Sequence, residues 1–191
     1  MRVLFFLLII SLPASAQTKF IHVFVCLCDN DNQGIVPVPK KIGNGTDPDN
    51  NLYWGCAFGM RTYFKNASEW THVATLKKVS PVLLERCIFK SKTSDAIIIA
   101  DAYQGSSMKE CLSDYFLSLS GNDKDSIRIK VAGYNKVFSP GSADLVVFIG
   151  HDGLMDTEFA SYPKQKGSAK KDAMIFCCYS KEYFSPAVRS A

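Results

Sequence analysis

The chain has 191 residues, 47% of them hydrophobic and 21% charged, with a formal net charge of +4. This balance excludes a disordered or low-complexity polypeptide, and the mild basicity forms no Lys/Arg stripe of the kind that binds nucleic acid. No segment after the N-terminal one is long and apolar enough to cross a bilayer, so no membrane span is expected in the mature chain.

Met1–Ala16 reads as a secretory signal peptide: Arg2, the apolar run Val3–Leu12, then Pro13-Ala-Ser-Ala16 in the small-x-small pattern. Cleavage before Gln17 leaves 175 of the 191 residues and a charge of +3, a length that suits one domain over residues 17–191. A secreted or periplasmic location follows. Seven cysteines in an exported chain invite disulfides, but the number is odd. Cys26 and Cys28 share one face of a strand, and Cys111 falls on the apolar face of a helix. The pattern favours buried thiols over a disulfide framework. The close pairs Cys26/Cys28 and Cys177/Cys178 lack the matching His or Cys set of a metal site, and the sequence calls for no cofactor.

Phe20–Cys28 is the first predicted core strand, followed by the polar turn Asp29-Asn-Asp-Asn-Gln-Gly34. Residues 35–51 form a loop with prolines at 37, 39 and 48 and glycines at 43 and 45. A loop of this length in a small domain invites a functional reading. It leaves a strand's carboxyl end, so it is expected to wall a cleft, with Asn30 and Asp31 facing substrate. Asp29, Asp31, Asp47 and Asp49 lack the ligand pattern of an EF-hand and read as solvated turn residues. Asn44-Gly-Thr46 and Asn66-Ala-Ser68 match glycosylation sequons, a short pattern that recurs by chance.

Asn51 is placed to cap a helix from Leu52 to about Lys65, whose Leu52, Cys56, Met60 and Tyr63 make an apolar stripe widened by Tyr53 and Trp54. Residues 71–78 and 82–90 alternate around Ser80-Pro81 and read as a β-hairpin. Residues 95–102 form an apolar strand ending near Asp101. Ser107-Met-Lys-Glu110 is a capping box, opening an amphipathic helix through Leu119 that stops at Gly121. Ile127, Ile129 and Val131 alternate as a further strand.

The chemistry gathers near the end. Asp144-Leu-Val-Val-Phe-Ile-Gly-His151-Asp-Gly153 and Ala173-Met-Ile-Phe-Cys-Cys178-Tyr-Ser180 each begin as an apolar run of β-formers and end in reactive residues. In open parallel sheets chemistry sits where strands deliver side chains at their carboxyl ends. If strands 144–150 and 173–178 are parallel neighbours, His151 and Cys178 meet at one edge. A thiolate is the reactive form of cysteine, and an adjacent imidazole generates or stabilises it. Such a pair in apolar strands is more often structural than catalytic.

An apolar strand ending in His-Gly, a crossover, then an apolar strand ending in Cys resembles the caspase-like cysteine peptidases, the group that includes caspases, legumains and gingipains. The likeness covers about residues 95–185. It implies an α/β three-layer α/β/α sandwich with a mostly parallel sheet plus the 71–90 hairpin. It also implies that His151 is the base, Gly153 an oxyanion donor and Cys178 the nucleophile. Asp152 is an insertion between His151 and Gly153. The family continues beyond its Cys strand, whereas 13 residues follow Cys178 here, which implies a domain that is C-terminally incomplete.

Two function classes follow. One is a secreted cysteine endopeptidase, with Asp101, Asp152 and Asp156 near the cleft favouring a basic residue before the scissile bond of a peptide or protein substrate. The other is a non-catalytic exported α/β domain that binds a partner through the 29–51 loop. The signal peptide carries its own test: exported protein should begin at Gln17 by mass spectrometry, and a chain retaining Met1–Ala16 would refute the assignment.

Overall fold

The computed structural model describes residues 17–131, 134–167 and 170–190; Met1–Ala16 and the proposed cleavage site's leading side lie outside them. The elements run β1 (Lys19–Cys26), α1 (Met60–Asn66), β2 (Trp70–Lys77), β3 (Leu83–Ser91), β4 (Ala96–Tyr103), α2 (Met108–Leu119), β5 (Ile127–Val131), β6 (Tyr134–Phe138), β7 (Leu145–Ile149), β8 (Asp172–Phe176) and α3 (Ser180–Ser190). The fold is mixed α/β, with a six-stranded sheet ordered β2-β3-β4-β1-β7-β8 and a separate β5-β6 pair.

The apolar run of β1 goes to the middle of the sheet, where a strand is covered on both faces. It pairs in parallel with β4 on one edge and β7 on the other, and β7 pairs in parallel with β8. The 71–90 segment is the expected hairpin, and it extends the main sheet antiparallel along β4.

Alternation along the strands divides the core in two. On one face Phe24, Ile97, Ile99, Val146 and Phe148 pack with Cys111, Leu112, Tyr115 and Phe116 of α2, with Phe184 of α3 and with Ile127, Ile129 and Phe138. On the other face Val23, Val25, Ile98, Ala100 and Val147 meet Trp54 and Met60. Among the described residues, the cover of this second face comes from α1 and the chain leading into it. Trp54 anchors that cover. Its Nε1 donates to Oε1 of buried Glu85 at 3.0 Å, and Arg61 donates to the same carboxylate at 3.0 and 3.1 Å.

Three expectations are corrected. The helix predicted from Leu52 begins only at Met60. Residues 52–59 turn back on themselves, because a Cβ at Gly55 would lie 2.1 Å from the Pro48 carbonyl oxygen and one at Gly59 2.4 Å from the Trp54 backbone. Asn51 is a buried strut for that turn: its Oδ1 accepts from the N–H groups of Cys28 and Tyr53 at 3.0 and 3.1 Å, and its Nδ2 donates to the Cys28 carbonyl at 2.8 Å. The capping box at 107–110 does not form, since Ser107 makes no side-chain cap of α2. At the other end of α2, Gly121 does take the left-handed conformation, at φ 77°.

Asp101 is corrected as well. Its carboxylate is buried in β4, held by Arg86 through two bonds of 2.6 Å and by Nε2 of His22 at 3.0 Å. Burial alone would raise its pKa, but the hydrogen bonds and charges of Arg86 and His22 outweigh that and hold it below the ordinary carboxylate range. A carboxylate committed to two buried partners offers nothing to substrate. Removing one partner of such a group strands its charge. Arg86→Met is expected to cost about 3–5 kcal/mol in urea denaturation, with part of the loss regained in Arg86→Met/Asp101→Leu. Because the folded pKa is depressed, the stabilisation is present at neutral pH. It should fall away as acid takes the protein below about pH 4.

Candidate active site

β7 and β8 are parallel neighbours whose last paired residues are Ile149 and Phe176. The ladder closes with the Gly150 N–H donating to the Phe176 carbonyl at 3.3 Å. Two residues beyond that last pair stand His151 on one strand and Cys178 on the other, at equivalent register. The sheet therefore brings the imidazole and the thiol to one edge.

The two cysteines divide between core and surface. Cys177 packs against the α2-side core. Burial, then the charges of Asp152 and Cys178, pushes its thiol up to about 12. Cys178 is exposed. It sits in the turn between β8 and α3, and the next residue, Tyr179, takes a left-handed φ of 50°. That conformation is uncommon for a residue with a Cβ and marks a sharp reversal. The Tyr179 carbonyl accepts the N–H groups of Glu182 and Tyr183 at 3.0 and 3.3 Å, so α3 starts directly behind the turn. Among the described residues no backbone hydrogen bond engages the Cys178 N–H.

His151 is largely covered, its side chain 12% exposed, and its Nε2 lies 2.7 Å from Oδ2 of Asp156. A His–carboxylate contact fixes the ring and leaves the other nitrogen for chemistry. No hydrogen bond joins His151 to either thiol among the described residues. Sequence reading placed Asp156 in a diffuse acidic field near the cleft; the structure sets it against His151. Its signal was local: an acid five residues after the histidine, in a turn closed by Met155 N–H to the Asp152 carbonyl and Asp156 N–H to the Gly153 carbonyl, at 3.1 and 3.3 Å.

Gly153 and Asp152 are placed differently from expectation. The Gly153 N–H donates to the His151 carbonyl at 2.8 Å, so it is spent inside the turn rather than offered to an oxyanion. The glycine is needed for packing: a Cβ there would lie 2.3 Å from Cγ of Met108 on α2. Asp152 is fully buried, one oxygen accepting from the Leu154 N–H at 3.2 Å and the other without a partner. Burial pushes its pKa up, and a carboxyl with no exposed surface is out of reach of a basic substrate.

The 29–51 loop does reach the site, through Gly34, where a Cβ would sit 3.4 Å from Oδ2 of Asp156. Of its two proposed contact residues, Asn30 is spent inside the loop, whereas the Asp31 side chain is exposed and its backbone alone is tied to Asp29. Asn30 exchanges hydrogen bonds with the backbone of Val38 at 2.8 and 3.0 Å, and the Asp31 N–H donates to Asp29 at 3.0 Å. The remaining acids Asp29 and Asp47 are likewise held by backbone and Asn donors of their own turns. No group of three or more His, Cys, Asp or Glu suited to a metal ion occurs among the described residues, and none of their helices is long and apolar enough to cross a membrane.

No protein-family model, curated protein or solved structure matches this chain. The division of labour between the adjacent thiols is testable on stability alone. Cys177→Ala should cost about 1 kcal/mol or more as a truncation in the core. Cys178→Ala, at an exposed turn, should stay within about 0.5 kcal/mol of the parent. Chemical denaturation of the two variants decides it, and the reverse order would place Cys178 in the core.

Proposed function

We propose that this chain is a caspase-like cysteine hydrolase, an exported endopeptidase that acts by acyl transfer from Cys178. The observation that carries the proposal is the register of β7 and β8, which puts His151 and Cys178 at equivalent positions past a parallel pair. The resemblance of the two strand-end motifs to that family gives the roles, and Asp156 supplies the group that orients the base.

In this mechanism His151 takes the thiol proton as the Cys178 sulfur attacks the scissile carbonyl carbon. The carbonyl oxygen becomes an oxyanion, for which the Cys178 N–H is the available donor. Collapse breaks the C–N bond, and the imidazolium returns its proton to the leaving amine. Water, deprotonated by His151, then attacks the thioester. The carboxylate product leaves and the thiol is regenerated. Asp156 holds the ring throughout and stabilises the imidazolium. Asp101, Asp152 and Gly153 touch no reacting atom.

The test is alkylation by iodoacetamide at mildly acidic pH, mapped by mass spectrometry, beside turnover of a mixed peptide library. Cys178 should react well ahead of the other six cysteines. His151→Ala should slow that reaction and abolish turnover. Asp156→Asn should lower turnover by about 10²-fold or more, the scale at which a general base that has lost its orienting group fails. If Cys178 alkylates at the same rate with and without His151, and no peptide is cut, the domain is the non-catalytic binding module instead.

A further inference from the structure

The sheet face opposite α2 and α3 is bare beside the candidate site. A groove of about 590 Å³ runs along it, floored by Val147, Ile149, Met174 and Phe176 and walled by Tyr53 and Phe58. Its volume falls within the range of small-ligand sites. Every side chain lining it is uncharged. Several large apolar groups there are left to water: Phe58 is 89% exposed, Phe176 58% and Met174 49%. Apolar surface on this scale beside a reactive edge marks a binding site.

The groove runs to the sheet edge from which the candidate pair emerges. Ile149 and Phe176, its end residues on β7 and β8, each stand two positions before His151 and Cys178. His151 and Cys178 both follow the last ladder pair, so the groove ends at the sheet edge that carries the thiol. Tyr53 closes the link from the other wall. Burial chiefly raises the pKa of its hydroxyl, and Cys28 and Cys178 lie near enough to add to the effect.

We propose that this groove is the primary specificity subsite, and that it takes a large apolar side chain, aromatic or branched aliphatic, from the residue on the acyl side of the scissile bond. The inference rests on the cysteine-peptidase reading of Cys178 and names its substrate class. An acidic or basic side chain would enter without any partner of opposite charge and lose its hydration, a cost that uncharged walls cannot offset. The acids once available for a basic side chain are elsewhere: Asp101 is bound to Arg86, and Asp152 is buried on the α2 side.

Matched peptidyl acyloxymethyl ketones that differ only in this residue (Phe, Leu, Lys or Asp) test it, with the rate of Cys178 labelling read by intact mass. The Phe and Leu probes should label at least about tenfold faster than the Lys and Asp probes, the discrimination that burial of an apolar group in a fitted pocket gives. Phe176→Glu, at an exposed position, should shift the preference toward the Lys probe. Lys or Asp probes that label as fast as Phe, with Cys178 still reactive to iodoacetamide, would overturn the subsite and spare the hydrolase. Loss of all Cys178 reactivity in the parent protein overturns both. Sedimentation gives the third arm: a dimer that Phe176→Glu dissociates, with probe preference unchanged, assigns the groove to a second copy and refutes the proposal.

Discussion

The arrangement rests on β1 taking parallel neighbours along both of its edges. Parallel pairing means that every one of β4, β1, β7 and β8 releases its chain at the same end of the sheet. The residues that follow those strands, including the 29–51 loop, His151 and Cys178, are therefore gathered at one edge without being close in sequence. Had β8 paired antiparallel to β7, the thiol would lie at the far end of the sheet, a strand length from the imidazole. The apolar content of β1, buried on both faces, is what makes the central position favourable and so fixes the order of the rest.

The two faces of that sheet are covered unequally. On the α2 side, the helices, the β5-β6 pair and the aromatic cluster around Tyr115, Phe116 and Phe184 form a continuous core. Buried charge there is paired, as in the Arg86–Asp101–His22 group, where each partner makes the burial of the next tolerable. On the other side, Trp54 and Arg61 clamp one stretch of chain to Glu85 beneath β3, and the surface over β7 and β8 is left open. The candidate nucleophile stands at the boundary between them. Cys177 packs against the closed side, and Cys178 is exposed past the end of β8.

Cys178 is exposed in the turn that leads directly from β8 into α3. The 151–156 turn carries the histidine, its carboxylate partner Asp156 and the buried Asp152. The glycine of that turn is there because Met108 packs against it. One short loop thus serves both the α2 contact and the presentation of His151.

Much of this was readable from residue order. Alternating and continuous apolar runs specified β1, the β2-β3 hairpin, β4, β7 and β8 to within a few residues, and the spacing of Cys111, Leu112, Tyr115 and Phe116 specified α2. Cys177 and Cys178 both fall just past β8, so which of them meets the core was set by the turn into α3 and not by strand alternation. Other features depended on contacts between distant segments. α3 was hidden by Pro186, which removes a helical hydrogen bond, and its helix is retained because Phe184 and Ala187 pack into the core. The turn at 52–59 replaced a helix because the backbone at Pro48 and Asp49 approaches Gly55 too closely for any side chain. The acids near the cleft had to be sorted by partner rather than by position. Asp101 found Arg86, Asp156 found His151 and Asp152 was buried. Residue order places a carboxylate on a strand or in a turn; which cation or donor reaches it is set only when the sheet brings separate strands together.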